Sequence, residues 1–345
     1  MNWILRGSQN LGENTSDEVA YRHCGSISFC DRRDRIGADA QSYRGQLPRD
    51  GQGGRRHGLG GDVSSPLHST CRCSPGYRWA GGAGRGTGAP RTPARETWHA
   101  EPAKVADNLY FLGTKIHSAW ALVGSQGIIV IEALFDYAAR DEILDGLKKV
   151  GLDSKNVKYV ILSHAHGDHD GGAVLLQDSI PNVHVIYGAE DWDAVDKRPS
   201  GKAKHDIVGT DGLKVSVGDA SVQIVTMPGH TPGTLSYLFE VRDNGKPLRV
   251  AYVGGTAIPF NGTAAYYDGY SASSQKMANA AAAYGATALL TNHSEFDDAY
   301  FRSRAAANRK PGEPNPFDVG KDGVSRYFSV VQACTAAVRI RATGQ

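Results

Sequence analysis

The chain contains the segment VKYVILSHAHGDHDGG at residues 157–172. Its first six residues, Val157–Leu162, form a mainly apolar run typical of a buried strand. The following residues place four potential metal ligands within six positions, namely His164, His166, Asp168 and His169. The small residues between them allow the loop to double back, so these side chains can converge. Imidazole and carboxylate without thiolate favour zinc, or less specifically manganese or iron. We interpret the segment as a metal-binding loop, with a histidine-rich surface loop as the alternative.

Two later histidines follow strand-like runs. His230 lies in MPGHTPGT at residues 227–234, a turn framed by Pro and Gly, and His293 closes the run ALLTNH at residues 288–293. Alone, either histidine would be an ordinary loop or core residue. Together with the loop at 164–169, both become candidate ligands.

Apolar runs separated by turn residues alternate with amphipathic stretches over most of the chain. The runs predict strands at Asn108–Leu112, Ala119–Val123, Gly127–Ile131, Val157–Leu162, Val183–Ile186, Val215–Val217, Val222–Thr226, Leu235–Phe239 and Val250–Val253. The amphipathic spacing predicts helices at Tyr137–Val150, Ser274–Ala283, Ala299–Asn308 and Val324–Val338. Strands grouped with helices outside them favour a layered α/β architecture.

The first hundred residues differ in composition from the rest. They contain 14 Arg, no Lys and 9 acidic residues, whereas the other 245 residues contain 24 basic and 27 acidic ones. Their Gly/Arg-rich stretches lack an apolar period and cannot offset the entropy cost of ordering. We therefore predict a disordered low-complexity extension, or a misassigned start, at residues 1–97, and one domain at residues 98–345. A basic tail that contacts RNA, or a small metal module, is a third interpretation, and the tight Cys71-x-Cys73 spacing disfavours the metal module.

The charge and hydropathy of the whole chain exclude some function classes. A net charge of +2 over 345 residues gives no electrostatic footprint for nucleic acid. No apolar run approaches the roughly 20 residues that span a bilayer. We expect a small-molecule substrate, with neither a nucleic-acid partner nor a membrane; the oligomeric state stays open. The first residues also lack the apolar core of a signal peptide.

The three histidine motifs together resemble the metallo-β-lactamase superfamily of zinc hydrolases. HAHGDH at 164–169 is similar to the signature loop of that family, MPGHTPGT at 227–234 to its third-histidine motif, and TNH at 291–293 to its late histidine. The resemblance covers roughly residues 105–345. It implies a four-layer αββα sandwich with two Zn²⁺ ions.

Carried over residue by residue, the resemblance implies two groups of ligands. The first zinc would be held by His164, His166 and His230, and the second by Asp168, His169 and His293. Asp168 and His166 would be the catalytic residues among them, with Asp168 orienting the attacking hydroxide.

A further position separates branches of this family. Many family hydrolases have a bridging Asp after the strand that ends in YVGG at residues 252–255, and some lactamases have a Cys; this chain has Thr256, or Gly255 if the alignment slips by one. A site without either bridging residue resembles the third subclass of metallo-β-lactamases, which has a serine there. Glu132 stands where the superfamily usually has Asp.

The resemblance to that subclass implies a dizinc hydrolase that opens the amide bond of β-lactam antibiotics by attack of a zinc-bound hydroxide, in the periplasm or outside the cell. The alternative is a zinc hydrolase of the same fold acting on a lactone, thioester or other ester. A non-catalytic or redox protein on this scaffold is a further alternative, which the complete set of six ligands disfavours.

Residues around the ligands are candidates for supporting roles. Asp170 and Thr231 could fix the ligand loops, or could simply stabilise turns. Aromatic residues near the motifs could line the mouth of the site; these are His117, Trp120, Trp192, Tyr266 and Tyr267.

Overall fold

The structure is a computed structural model that describes residues 92–344. Within this range twelve strands form a seven-stranded sheet and a five-stranded sheet. The predictions for residues 1–91 lie outside the described residues. The domain boundary at 97/98 stays a prediction.

The first sheet is antiparallel at one end and parallel at the other. In spatial order it consists of β1 (Ala103–Ala106), β2 (Leu109–Phe111), β3 (Trp120–Gly124), β4 (Gly127–Ile131), β5 (Val157–Ile161), β6 (His184–Tyr187) and β7 (Ile207–Val208). Strands β1 to β4 pair antiparallel, and β4 to β7 pair parallel. Parallel neighbours need long crossovers, which are helical here. The carboxyl ends of β4, β5 and β6 therefore meet at one edge of the sheet.

The second sheet is mainly antiparallel. It consists of β8 (Lys214–Val217), β9 (Ala220–Thr226), β10 (Leu235–Asp243), β11 (Lys246–Val253) and β12 (Ala288–Thr291), in the spatial order β12-β11-β10-β9-β8. Asp243 pairs with Lys246 across the turn Asn244-Gly245, whose φ values are 53° and 74°. An Asn-Gly pair with positive φ is the preferred two-residue hairpin turn. Strand β12 pairs parallel to β11 after a helical crossover.

Ten α-helices accompany the two sheets in residues 92–344. They are α1 (Arg95–Trp98), α2 (Asp136–Ala139), α3 (Asp145–Lys149), α4 (Gly167–Asp170), α5 (Ala173–Ser179), α6 (Ala189–Asp196), α7 (Ala264–Tyr284), α8 (Ser294–Asp297), α9 (Ala299–Ala307) and α10 (Gly320–Thr343). A π-helical turn, Arg140–Leu144, joins α2 to α3, where the sequence predicts one continuous helix. A 3₁₀ turn, Ser154–Asn156, precedes β5.

Three apolar clusters define the layers. The central cluster lies between the two sheets and includes Phe111, Trp120, Tyr237, Phe239 and Tyr252. A second cluster packs the first sheet against α2, α3, α5 and α6, and a third packs the second sheet against α7 and α10. The order of layers is helix, sheet, sheet, helix. The αββα prediction is therefore confirmed.

Two phenylalanines provide a matched test of this core. Phe239 is fully buried between the sheets, whereas Phe301 is 70% exposed. We expect Phe239→Ala to lower the free energy of unfolding by about 3–5 kcal/mol, through lost apolar burial and a residual cavity. Phe301→Ala should change it by at most about 0.5 kcal/mol. Urea unfolding of both variants measures the difference, and equal losses would contradict the assignment of the central layer.

Candidate metal centre

The metal-binding loop predicted from the sequence begins directly after β5. His164 and His169 are buried, Asp168 is partly buried and His166 is exposed, so the group extends from the interior to the protein surface. Asp168 and His169 lie on the single helical turn α4, which follows His166. His230 comes from the loop after β9, and His293 directly precedes α8 after β12. Loops of both sheets thus supply the cluster.

The first group consists of His164, His166 and His230. One ligand atom from each lies within 4.8 Å of the others. Nε2 of His230 is 3.0 Å from Nδ1 of His166. The rings are mutually edge-on, with centroids 4.6–4.8 Å apart.

The second group consists of Asp168, His169 and His293. Oδ2 of Asp168 is 3.1 Å from Nε2 of His169 and 3.5 Å from Nε2 of His293. The two Nε2 atoms are 3.0 Å apart. Ligands of a tetrahedral zinc ion with bonds of about 2.0–2.1 Å lie about 3.3 Å from one another. The donor set and its spacing therefore fit a divalent metal ion.

Hydrogen-bond partners outside the cluster orient these imidazoles. Nδ1 of His230 is 2.7 Å from the carbonyl oxygen of Ala257, so it carries a proton and donates it there. The lone pair of the neutral His230 ring consequently lies on Nε2, which faces the cluster. Oγ of Ser163 is 2.9 Å from Nδ1 of His164. Such partners fix the tautomer and orientation of metal-binding histidines.

The Glu132 carboxylate lies beside the imidazole of His169. It follows β4 with a φ of 70°, and its Oε2 is 3.5 Å from Nδ1 of His169. Its Oε1 accepts hydrogen bonds from the Tyr252 hydroxyl at 2.8 Å and from the Ser163 amide at 3.2 Å. Glu132 is fully buried. It therefore links β4, the metal-binding loop and the second sheet.

The directions of the pKa shifts differ among the candidate ligands. Burial alone would lower the pKa of His169, but contacts with Asp168 and Glu132 raise it to about 9. Burial would raise the pKa of Asp168, but the hydrogen bond with His169 and the neighbouring imidazolium charge hold it well below its usual range. Burial lowers the pKa of His230 to about 4, with His166 as the next cause. Burial, followed by the charge of His169, likewise lowers the pKa of His164 and of His293. The neutral imidazole that these low values favour is the form that binds metal.

Asp191 ties the two ligand loops together. Its carboxylate accepts hydrogen bonds from the Ala165 amide at 2.8 Å, the Gly233 amide at 3.0 Å and the Thr231 hydroxyl at 2.9 Å. Asp191 is buried on α6 and was not among the candidates from sequence. Thr231, which was a candidate, lies in this network beside the loop of His230.

Asp170 faces away from the ligands. Its Oδ2 is 2.7 Å from Nη2 of Arg198 and 3.2 Å from the Tyr187 hydroxyl. Arg198 also donates to the Ala165 carbonyl at 2.7 Å. Burial raises the pKa of Asp170 and the Arg198 guanidinium opposes that shift. Asp170 thus holds Arg198, which braces the metal-binding loop.

The position at which the resemblance implies a bridging Asp carries no acidic side chain in this protein. The Thr256 hydroxyl donates to Oδ1 of Asn292 at 2.8 Å and is buried. Gly255 has a φ of 64°, and a Cβ there would lie 2.6 Å from Cβ of His230. Only glycine therefore allows the backbone to pass His230 so closely. Asn292 also places its Nδ2 3.5 Å from Nε2 of His169.

Some of the predicted mouth residues do not line the site. Trp120 is fully buried between the sheets, where it packs edge-on against Phe111 and Phe317, so its prediction as a substrate-facing residue was wrong. Trp192 and Tyr267 are also fully buried. Tyr266 is partly exposed at the start of α7 and packs edge-on against Tyr267, and its role stays a prediction.

His117 lies much closer to the cluster than the sequence indicated. Its Nε2 is 3.5 Å from Oδ2 of Asp168, and a group of potential ligands forms from His117, Asp168 and His293. The sequence places His117 among the aromatic residues near the motifs, but an isolated histidine between two strands gives no signal for contact with Asp168.

Part of the chain matches a known protein family. Residues 112–244 match the sequence model of the Metallo-beta-lactamase superfamily. The chain contains a metallo-β-lactamase superfamily domain. The roles of the six predicted ligands in this domain stay predictions, although the structure brings all six together.

Curated proteins that are similar to this domain include a lactonase and a hydroxyacylglutathione hydrolase. An N-acyl homoserine lactonase from Bacillus sp is 32% identical over 112 residues, which are 31% of this chain and 43% of that protein. A hydroxyacylglutathione hydrolase from Gloeothece citriformis is 28% identical over 140 residues, 39% of this chain and 51% of that protein. The chain spans about half, or less, of the length of these relatives.

Solved structures resemble the metallo-β-lactamase domain over a longer range. A mutant of the metallo-β-lactamase FEZ-1 from Legionella gormanii has a TM-score of 0.61 at 20% identity, covering 70% of this chain and 96% of that one. BJP-1, a subclass B3 metallo-β-lactamase of Bradyrhizobium japonicum, has a TM-score of 0.55 at 23% identity, covering 67% and 90%. At these identities the likeness shows the fold.

The aspartates of α6 offer a test of how the ligand loops are held. Asp191 is buried among three donors, whereas Asp193 on the same helix is exposed. We expect Asp191→Ala to weaken zinc binding by about 10–100-fold, because the loops of His166 and His230 lose their common anchor. Asp193→Ala should bind zinc as the unaltered chain does. Zinc retained after dialysis against a graded chelator series measures both, and equal retention would contradict the anchoring role.

Proposed function

We propose that this chain is a dizinc hydrolase that opens the amide bond of β-lactams. The observation that carries the proposal is the convergence of six nitrogen and oxygen ligands from three loops, with hydroxyl-bearing Thr256 at the position of the bridging acid. His164, His166 and His230 hold one ion, and Asp168, His169 and His293 hold the other. Bound zinc supplies Lewis acidity and lowers the pKa of coordinated water to about 7.

The residues of the chain prepare the site for such chemistry. The Asp168 carboxylate is kept ionised by its contacts with His169 and His293, so it can accept a hydrogen bond from a water molecule and orient it. Ser163, Ala257 and Glu132 keep the imidazole rings in fixed orientations. Because His166 is exposed and Asp168 partly exposed, the carbonyl of a small molecule can approach the cluster from solvent.

A lactone, thioester or other ester is the competing substrate class. It is favoured by the curated relatives, whose names are lactonase and hydroxyacylglutathione hydrolase. The β-lactam is favoured by Thr256 and by the subclass B3 name of a structural neighbour. Loops around a shared metal site, not the fold, decide the substrate.

A substrate panel distinguishes the two classes. We expect the zinc-loaded full chain to hydrolyse a chromogenic cephalosporin with kcat/KM above about 10⁴ M⁻¹s⁻¹, the low end for typical enzymes. An N-acyl homoserine lactone and a lactoylglutathione thioester should be hydrolysed more slowly. Faster turnover of either ester would favour the competing class.

Two histidine variants serve as the control in that panel. His166→Ala should lower kcat/KM by at least about 100-fold, because several kcal/mol of charge stabilisation depend on the metal. His184→Ala, which removes an exposed histidine outside the cluster, should leave kcat/KM unchanged. Absence of turnover of every substrate by zinc-loaded protein would contradict a hydrolase.

Metal removal should change stability as well as activity. We expect zinc at 100 times its dissociation constant to raise the free energy of unfolding of chelator-treated protein by about 2.7 kcal/mol, since the ion binds the folded chain. Urea unfolding with and without zinc measures this effect. Identical unfolding curves would contradict zinc binding to the folded state.

Location in the periplasm or outside the cell belongs to this proposal. Among residues 92–344, the structure contains no helix that is long and apolar enough to cross a membrane. A small-molecule substrate is consistent with the exposure of His166 at the cluster.

A further inference from the structure

His117 lies against the second group of ligands. It belongs to the loop between β2 and β3, and its side chain is only 14% exposed. Its ring is edge-on to the His293 ring, with centroids 5.0 Å apart, and to the Phe135 ring on another side, at 5.1 Å. The aromatic packing leaves the imidazole directed at the group.

The backbone fixes His117 relative to His293. The two residues form an isolated β-bridge. On either side of this bridge, the Ser118 amide donates to the Asn292 carbonyl at 3.0 Å, and the Ser294 amide donates to the Ile116 carbonyl at 2.7 Å.

A turn on the other side of the loop is closed by Thr114. Its hydroxyl oxygen accepts from the His117 amide at 2.8 Å, and its amide donates to the His117 carbonyl at 2.8 Å. His117 is therefore held by ordered backbone on both sides. The approach of its ring to Asp168 is a built feature of the fold.

One carboxylate oxygen lies among three imidazole nitrogens. Oδ2 of Asp168 is 3.1 Å from Nε2 of His169, 3.5 Å from Nε2 of His293 and 3.5 Å from Nε2 of His117. All three separations are close to the spacing of about 3.3 Å between ligands that share one zinc ion. His117 thus has the same relation to Asp168 as His293 has.

We propose that His117 is a fourth protein ligand of the metal ion held by Asp168, His169 and His293. The proposal rests on the metal binding in the proposed function and deepens it. The second ion then has three imidazoles and one carboxylate, compared with three imidazoles for the first. A hydrogen bond from His117 to Asp168, without contact to the metal, is the competing role.

Two substitutions separate these roles. His117→Gln keeps an N–H donor near the position of Nε2 but provides no imidazole, whereas His117→Ala removes both. If His117 is a ligand, each variant should lose at least about tenfold in affinity for one of its two zinc ions and bind the other ion as before. Competition with a chromophoric chelator measures both affinities. His184→Gln is the matched control on an exposed histidine.

A spectroscopic count provides a readout independent of activity. In the cobalt-loaded protein each ligating histidine contributes one exchangeable, paramagnetically shifted ring N–H signal. We expect six such signals from the unaltered chain and from His184→Gln, and five from either His117 variant. Unfolding of the metal-free variants at the same urea concentration as the unaltered chain shows that they fold.

Other outcomes overturn the proposal in distinct ways. Wild-type zinc affinity in His117→Gln with reduced affinity in His117→Ala identifies a hydrogen-bonding role only. Unchanged affinity and signal count in both variants exclude any role at the metal. If the unaltered chain binds no metal, the proposed function itself fails, and this result differs from one in which it binds two ions regardless of His117.

Discussion

Ring nitrogens face each other at 3.0 Å in both ligand groups, between His166 and His230 and between His169 and His293. Each such pair can share only one proton, and two neutral nitrogens whose lone pairs meet repel each other. Surrounding protein leaves water little room to relieve this constraint at buried His169. A divalent cation would bind these lone pairs and remove the repulsion between them. Hydrogen-bond partners on several separate elements hold the rings in the orientation that such an ion needs.

Buried carboxylates provide much of that support. Glu132 and Asp191 each accept hydrogen bonds from two or more segments that are distant in sequence. Burying such groups is costly unless they are hydrogen-bonded, and these contacts offset part of the cost. Within residues 92–344, Oε2 of Glu132 has no hydrogen-bond partner and lies 3.5 Å from Nδ1 of His169. The longer side chain of Glu132, set on a residue with positive φ, still reaches His169.

The layered fold and the positions of the six candidate ligands could be predicted from the sequence because both depend on local patterns, whereas the roles of those ligands stay predictions. The apolar run before HAHGDH and the Pro/Gly frame of His230 are short-range signals. The prediction for Trp120 was wrong because consecutive residues of β3, Trp120–Leu122, are all buried. Such a run has no alternation of apolar and polar residues, so the sequence does not show which face of the strand Trp120 occupies. Contact between His117 and Asp168 depends on the bridge to His293, which connects distant parts of the chain. The first turns of α7 were missed because its Tyr- and Ser-rich start relies on a cap from Thr263.

The pairing of His169 with His293 joins residues 124 positions apart and belonging to different sheets. During synthesis, the loop after β5 leaves the ribosome long before β12 does. The nascent chain therefore presents His164, His166 and His169 before His230 and His293 are available. A metal site that needs residues after strands of both sheets would then be completed only once the two sheets have docked.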